Sequence, residues 1–115
     1  MNHIATGSKR SQFSLLWQSR SLQAAKMTLP PGGVSDDEPS NEHPKSEQWL
    51  FVISGVGRAI TGKRHESLRR TPLRANSLLV IEKGELHQIR NTGHSPLVTL
   101  NFYVPPAYDS LGNPK

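Results

Sequence analysis

The chain has 115 residues, a formal net charge of +5 and no cysteine. One compact domain accounts for that length, and the missing thiols exclude disulfides, thiolate metal sites, iron–sulfur clusters and a cysteine nucleophile. The N-terminal residues carry no continuous apolar run of signal-peptide type and no stretch is long enough to span a bilayer, so a cytoplasmic protein without a membrane partner is expected.

Residues 1–12 are polar and are expected to lie at the periphery. Phe13 to Trp17 and Leu22 to Leu29 read as strands, followed by a firm break at Pro30-Pro31-Gly32-Gly33. Val34 to Lys45 is acidic and turn-rich, and Asp36, Asp37 and Glu38 read there as solvated turn residues. Gln48 to Ser54 is the strongest strand, dense in aromatic and β-branched residues. It is apolar on both faces, with Leu50 and Val52 on one and Trp49, Phe51 and Ile53 on the other. A strand buried on both sides needs two covers, so a homodimer is expected.

Gly55 ends that strand. Arg58 to Thr61, Ser77 to Glu82, His87 to Asn91 and Leu97 to Val104 read as further short strands, with turns near Gly62-Lys63, at Lys83-Gly84-Glu85 and at Asn91-Thr92-Gly93. In the last strand Val98, Leu100, Phe102 and Val104 form an apolar face, and Thr99, Asn101 and Tyr103 form the other. Pro105-Pro106 stops it, since proline cannot donate to a sheet ladder, and residues 107–115 are expected as a polar peripheral tail. Many short strands without an amphipathic helix predict an all-β protein with a barrel core over residues 22–104.

The densest basic stretch holds Arg58, Lys63, Arg64, Arg69, Arg70 and Arg74. No helix-turn-helix, zinc-finger or aromatic RNA-binding pattern accompanies it. It reads as a solvated hairpin, and nucleic acid is not an expected partner.

Two segments carry the candidate chemistry. One runs from Asn41-Glu42-His43 through Glu47-Gln48 to Gly55, the other from Glu82 through Gly84 and His87 to Asn91. Their phrasing resembles the cupin superfamily, and in particular small single-domain bacterial cupins of uncharacterised function. The first cupin motif runs glycine, five residues, His-x-His, three or four residues, Glu, six residues, Gly. Here Gly55 fits the final glycine, Gln48 takes the glutamate position, His43 the second histidine and Asn41 the first, while Ser35 falls where the opening glycine belongs. The second motif runs glycine, five residues, Pro-x-Gly, two residues, His, three residues, Asn. Gly84, His87 and Asn91 match in register, with Glu82 in place of the proline and Asn76 in place of the first glycine. The resemblance covers Met27 to Val104.

That resemblance implies a small double-stranded β-helix, a jelly-roll-like antiparallel barrel, with a divalent metal inside it. Carried over by position, the ligand set is Asn41, His43, Gln48 and His87. Imidazole suits iron, manganese, nickel or zinc. The two amides bring no charge, so the ion is expected to be weakly held and strongly Lewis-acidic. Glu47 and Glu85 are weaker candidates as a substitute carboxylate; Glu47 neighbours Gln48 on a strand and points the opposite way if Gln48 points in. Leu50, Leu100 and Phe102 are expected to line the apolar part of the pocket. Trp49 and Phe51 read as packing residues, Asn91 as a turn former, and His3, His65 and His94 as surface residues. Function is expected to be metal-dependent binding of, or action on, a small anionic or oxygen-rich metabolite, with dioxygenase, isomerase or decarboxylase-like chemistry if the protein is an enzyme. The other reading is a metal-free pocket serving as a non-catalytic ligand-binding or sensor module.

Overall fold

The computed structural model describes residues 1–8 and 12–115, so residues 9–11 of the N-terminal segment lie outside the described residues. The described residues form eight strands: β1 (Phe13–Gln18), β2 (Gln23–Leu29), β3 (Glu47–Ser54), β4 (Val56–Gly62), β5 (Arg69–Arg74), β6 (Leu78–Ile81), β7 (Leu86–Asn91) and β8 (Leu97–Val104). They make two sheets, one of five strands in the order β1-β2-β8-β3-β6 and one of three in the order β5-β4-β7, and every pairing is antiparallel. The all-β expectation holds. Strand β5 is an addition to it, an arginine-rich edge strand in which Pro72 is tolerated because its outer side needs no donor.

The core lies between the sheets. Met27, Leu29, Leu50, Val52 and Leu97 from the large sheet meet Ala59, Leu73 and Ile89 from the small one. Strand alternation does this work: in β3, Gln48, Leu50 and Val52 are buried while Trp49 and Ile53 are exposed and Phe51 is half-buried. The outer face of β3, expected to be covered, is therefore open in the single chain.

Two turn positions explain how the spacing survives substitution. Gly55 has φ +91°, and a side chain there would run into the Pro96 carbonyl, so the β3–β4 corner admits only glycine. Asn76, where the second motif ordinarily has glycine, has φ +72°. Asparagine tolerates that left-handed conformation better than other side-chain-bearing residues.

The segment between β2 and β3 is not free loop. It runs along β7, with bridges from Val34 to Arg90 and from Ser40 to His87. Ser40 and His87 exchange both backbone hydrogen bonds, at 3.1 and 2.9 Å. This carries Asp36, Glu42 and His43 to the open end of the barrel. The C-terminal tail closes the other side of that mouth. The Gln23 side chain accepts from the Ala107 and Tyr108 amides at 3.1 and 3.0 Å and donates to the Tyr108 carbonyl at 2.9 Å. Ala107 and Tyr108 are buried, so the tail is not peripheral there.

Candidate metal centre and pocket

A cavity of about 220 Å³ opens at this end of the barrel, lined among others by Met27, Asp36, Glu42, Gln48, His87 and Tyr108. His43 and His87 are both buried, with ring centroids 4.8 Å apart.

Each histidine is anchored through its inner nitrogen to a backbone carbonyl: His87 Nδ1 lies 3.1 Å from the Glu85 oxygen and His43 Nδ1 lies 3.2 Å from the Ser46 oxygen. A carbonyl only accepts, so a neutral imidazole satisfies it with an Nδ1–H and leaves the lone pair on Nε2, the arrangement that ligating histidines use. Burial pushes His87 down from the ordinary 6.5 to about 4, against the Glu85 carbonyl, which favours the charged form; nearby His43 lowers it further. His87 is thus neutral at pH 7.

Gln48 is oriented by a directed chain. The Thr99 hydroxyl donates to the Met27 carbonyl at 3.3 Å, Asn101 Nδ2 donates to that hydroxyl oxygen at 2.9 Å, and Gln48 Nε2 donates to Asn101 Oδ1 at 2.7 Å. Each step is fixed by the one before it, starting from a backbone oxygen that can only accept. Gln48 must therefore present Oε1, and it does so 2.9 Å from His43 Nε2. A hydrogen bond from an Nε2–H to that oxygen accounts for the distance, and so does a cation shared by the two atoms. Two donors bound to one ion at about 2.1 Å, in neighbouring positions, stand about 3 Å apart. The His43–Gln48 spacing is compatible with that geometry, and the His87 ring stands beside His43.

No three His, Asp or Glu side chains gather to hold a metal among the described residues, so the candidate centre consists of two imidazoles and one amide. Asn41 is half-buried and His43 buried, and neither stands in the cavity lining, which holds Gln48 and His87. Leu100 and Phe102 are corrected: the buried face of β8 is Leu97, Thr99, Asn101 and Tyr103, and the residues between them face outward, half-buried. The polar face was turned inward because it serves the pocket. Leu50 points inward but sits fully buried in the apolar core, behind the cavity. Glu47 accepts from the Trp49 indole outside the barrel, and Glu85 accepts from the Glu82 amide; neither reaches the histidines as a substitute ligand. Asn91 bonds the Leu29 and Ser95 carbonyls and the Gly93 amide, a structural knot. His3, His65 and His94 are exposed.

Four pocket residues were not anticipated. Asp36 is raised from 3.8 to about 6, chiefly by burial and then by the charge of Glu42, while the Ser40 hydroxyl and His43 pull it down. Tyr103 packs edge-on against His43 at 5.1 Å and against Tyr108 at 5.0 Å. Burial pushes both phenols, Tyr103 and Tyr108, well up, and the charge of Glu42 adds to the effect. The available signal was the polar alternation in β8 and the placement of Glu42 beside His43.

The chain matches the Cupin domain family over residues 25–103. It is 29% identical over 103 residues to the uncharacterized protein YrkC of Bacillus subtilis, covering 89% of this chain and 54% of that one, so it spans about half the length of that relative. Among solved structures, a Bacillus halodurans protein superposes with a TM-score of 0.82 at 28% identity, covering 96% of this chain and 80% of that one. The oxalate decarboxylase–formate complex of Lactobacillus farciminis superposes with a TM-score of 0.68 at 28% identity, covering 78% of this chain and 26% of that one.

Proposed function

The chain belongs to the cupin family, and from that premise we propose that it binds one divalent ion of iron, manganese, nickel or zinc through His43 Nε2, His87 Nε2 and Gln48 Oε1, and that its pocket takes a small oxygen-rich metabolite. The observation that carries the reading is the gathering of two buried imidazoles, ring centroids 4.8 Å apart, with the Gln48 amide oxygen 2.9 Å from His43 Nε2. The ion, when bound, supplies Lewis acidity toward a ligand oxygen.

The chain's own residues set the rest. Asp36 and Glu42 place carboxylates in the pocket wall, where they offset the charge that a neutral donor set leaves on the ion. They accept hydroxyl protons from a ligand and oppose an added anion. This favours an oxygen-rich, hydroxylated ligand over a strongly anionic one. Phe13, Met27 and Ile89 supply the apolar wall, against which a small carbon skeleton excludes water.

A metal-free binding module is the second reading. The absence of a carboxylate from the donor set favours it, since His43 protonated on both nitrogens would satisfy Ser46 and Gln48 at once. Metal content by mass spectrometry on untagged protein separates the two. The metal reading expects near-stoichiometric metal that His43→Ala and His87→Ala both lose. Metal-free protein that also fails to take up added manganese, nickel, zinc or ferrous iron would overturn it and leave the pocket as a ligand site.

A further inference from the structure

The outward face of the three-stranded sheet gathers arginines from all three of its strands. In β4 the buried residues are Gly57, Ala59 and Thr61, so Arg58 points away from the core. By the same alternation Leu73 and Ile89 turn inward, and Arg70, Arg74 and Arg90 turn outward. Backbone register sets Arg58 opposite Arg90 on β7 and opposite Pro72 on β5, with Arg70 and Arg74 to either side of Pro72. Directly opposite side chains stand about 5 Å apart at Cβ and diagonal ones about 7 to 8 Å, within reach of long side chains. Arg58 is therefore the centre of a cluster that the two flanking strands complete. Among the described residues no ion pair or side-chain hydrogen bond engages any of these guanidinium groups, and the Arg58 Nε is buried without a partner. Like charges opposite each other destabilise a sheet, and a buried charged donor left unpaired adds to that cost. An anion relieves both.

From this cluster we infer that the outer face of the three-stranded sheet is a binding site for one phosphate dianion. A guanidinium presents a planar fork of donors that matches two oxygens of a tetrahedral oxyanion, and it stays charged at every working pH. Arg58 and Arg90 supply two such forks side by side, and Arg70 and Arg74 bring further charge from the edge strand. In the sequence Arg58, Arg70 and Arg74 belong to a stretch that reads as a solvated hairpin; register adds Arg90 and makes the stretch a cluster. The borders of the face select a compact anion over a long one. The Val34–Arg90 and Ser40–His87 bridges run residues 34–40 along the free edge of β7, and that segment carries the exposed acids Asp37 and Glu38, which repel a polyanion extending past the cluster. Strands β4, β5 and β7 also offer no Phe, Tyr or Trp on which a base could stack. The site is separate from the pocket, since His87 and Ile89 of β7 line the cavity on the other side of the sheet.

Isothermal titration with inorganic phosphate at low ionic strength tests this, in chelator so that no metal offers phosphate a second place. One phosphate per chain is expected. Arg58→Gln and Arg90→Gln each weaken it at least about tenfold, the loss of charge-assisted hydrogen bonds. Lys83→Gln, an equal loss of charge in the exposed β6–β7 turn, leaves the affinity within about twofold. Phosphate also raises the thermal midpoint of the wild type, where chloride at the same ionic strength does not. If Arg58→Gln loses its cooperative unfolding transition, the double variant Arg70→Gln and Arg74→Gln on the exposed edge strand decides. Wild-type protein that binds no phosphate at concentrations on the order of 1 mM overturns the inference. So does an affinity that Lys83→Gln lowers as much as the arginine variants do, since that is the effect of net charge alone. A single-stranded DNA oligonucleotide that binds more tightly than phosphate through the same arginines, with an affinity falling steeply in salt, overturns the choice of a compact anion.

Discussion

At Gln48 one atom separates an amide from a carboxylate, and much of the site's behaviour follows from that difference. Gln48→Glu gives a bound ion an anionic ligand in a place shielded from solvent, and metal affinity rises at least about tenfold by competition titration. A variant with unchanged or weaker affinity would mean that position 48 does not face the ion. His87 offers a second test, in chelator. The unfolded chain takes a proton on this histidine near 6.5 and the folded chain only near 4, so between those values the unfolded state binds more protons. Stability is therefore lost as pH falls from about 6.5 to about 4, by up to about 3 kcal/mol. Asp36 acts in the opposite sense, since its raised value favours the folded state at low pH and that contribution disappears as pH rises through about 6. Urea midpoints of wild type against His87→Gln over this range isolate the histidine. An equally steep acid loss in the variant would sink the assignment. His43, Gln48 and His87 were legible in the sequence because their spacing is stereotyped, whereas Asp36 was not. A carboxylate in a turn-rich stretch looks solvated until a long-range bridge draws its loop onto β7.

At the level of elements, β8 shows both what alternation reveals and what it hides. The two faces were assigned correctly as sets, Val98, Leu100, Phe102 and Val104 against Thr99, Asn101 and Tyr103. Which set points inward was inverted, because hydrophobicity alone favours burying the apolar one. Thr99 and Asn101 are buried because each has a hydrogen-bond partner, and a partnered polar group is tolerated inside, while Tyr103 packs its ring against His43 and Tyr108. This face acts on the site from a distance. Thr99→Val keeps shape but removes the hydroxyl that aligns Asn101, and with it the orientation of Gln48. Metal affinity should fall about tenfold, as for other outer-shell ligand supports, with about 1 to 2 kcal/mol of stability, and Thr99→Ser should restore both. Equal affinities in the Val and Ser variants would show that the chain of donors does not reach the metal. The corners were easier to read: Gly55 stands where the motif demands it, and the Asn76 substitution is explained by its positive φ.

For the whole molecule, a ligand that binds only the folded state adds to its stability by mass action. Metal at one hundred times its dissociation constant should stabilise the protein by about 2.7 kcal/mol, seen as a raised thermal midpoint that chelator reverses and that His43→Ala abolishes. A midpoint indifferent to manganese, nickel, zinc and ferrous iron would count against the centre. The all-β architecture was legible because turn signals recur between short β-rich runs. The two-sided apolar character of β3 was legible as well. That its outer face stays open in one chain was not, because periodicity shows that a face is apolar without showing what stands over it.

The mutual hydrogen bonds between Ser40 and His87 have a consequence in time. They join backbone positions far apart in the sequence, and closing so long a loop is slow, because chain entropy is spent before the contact returns anything. His43 and Gln48 lie on one side of that closure and His87 on the other, so the donors converge only once the fold is nearly complete. On the proposed metal reading, binding is then a late event: metal should slow the unfolding of the finished protein, while refolding from denaturant runs at the same rate with or without it.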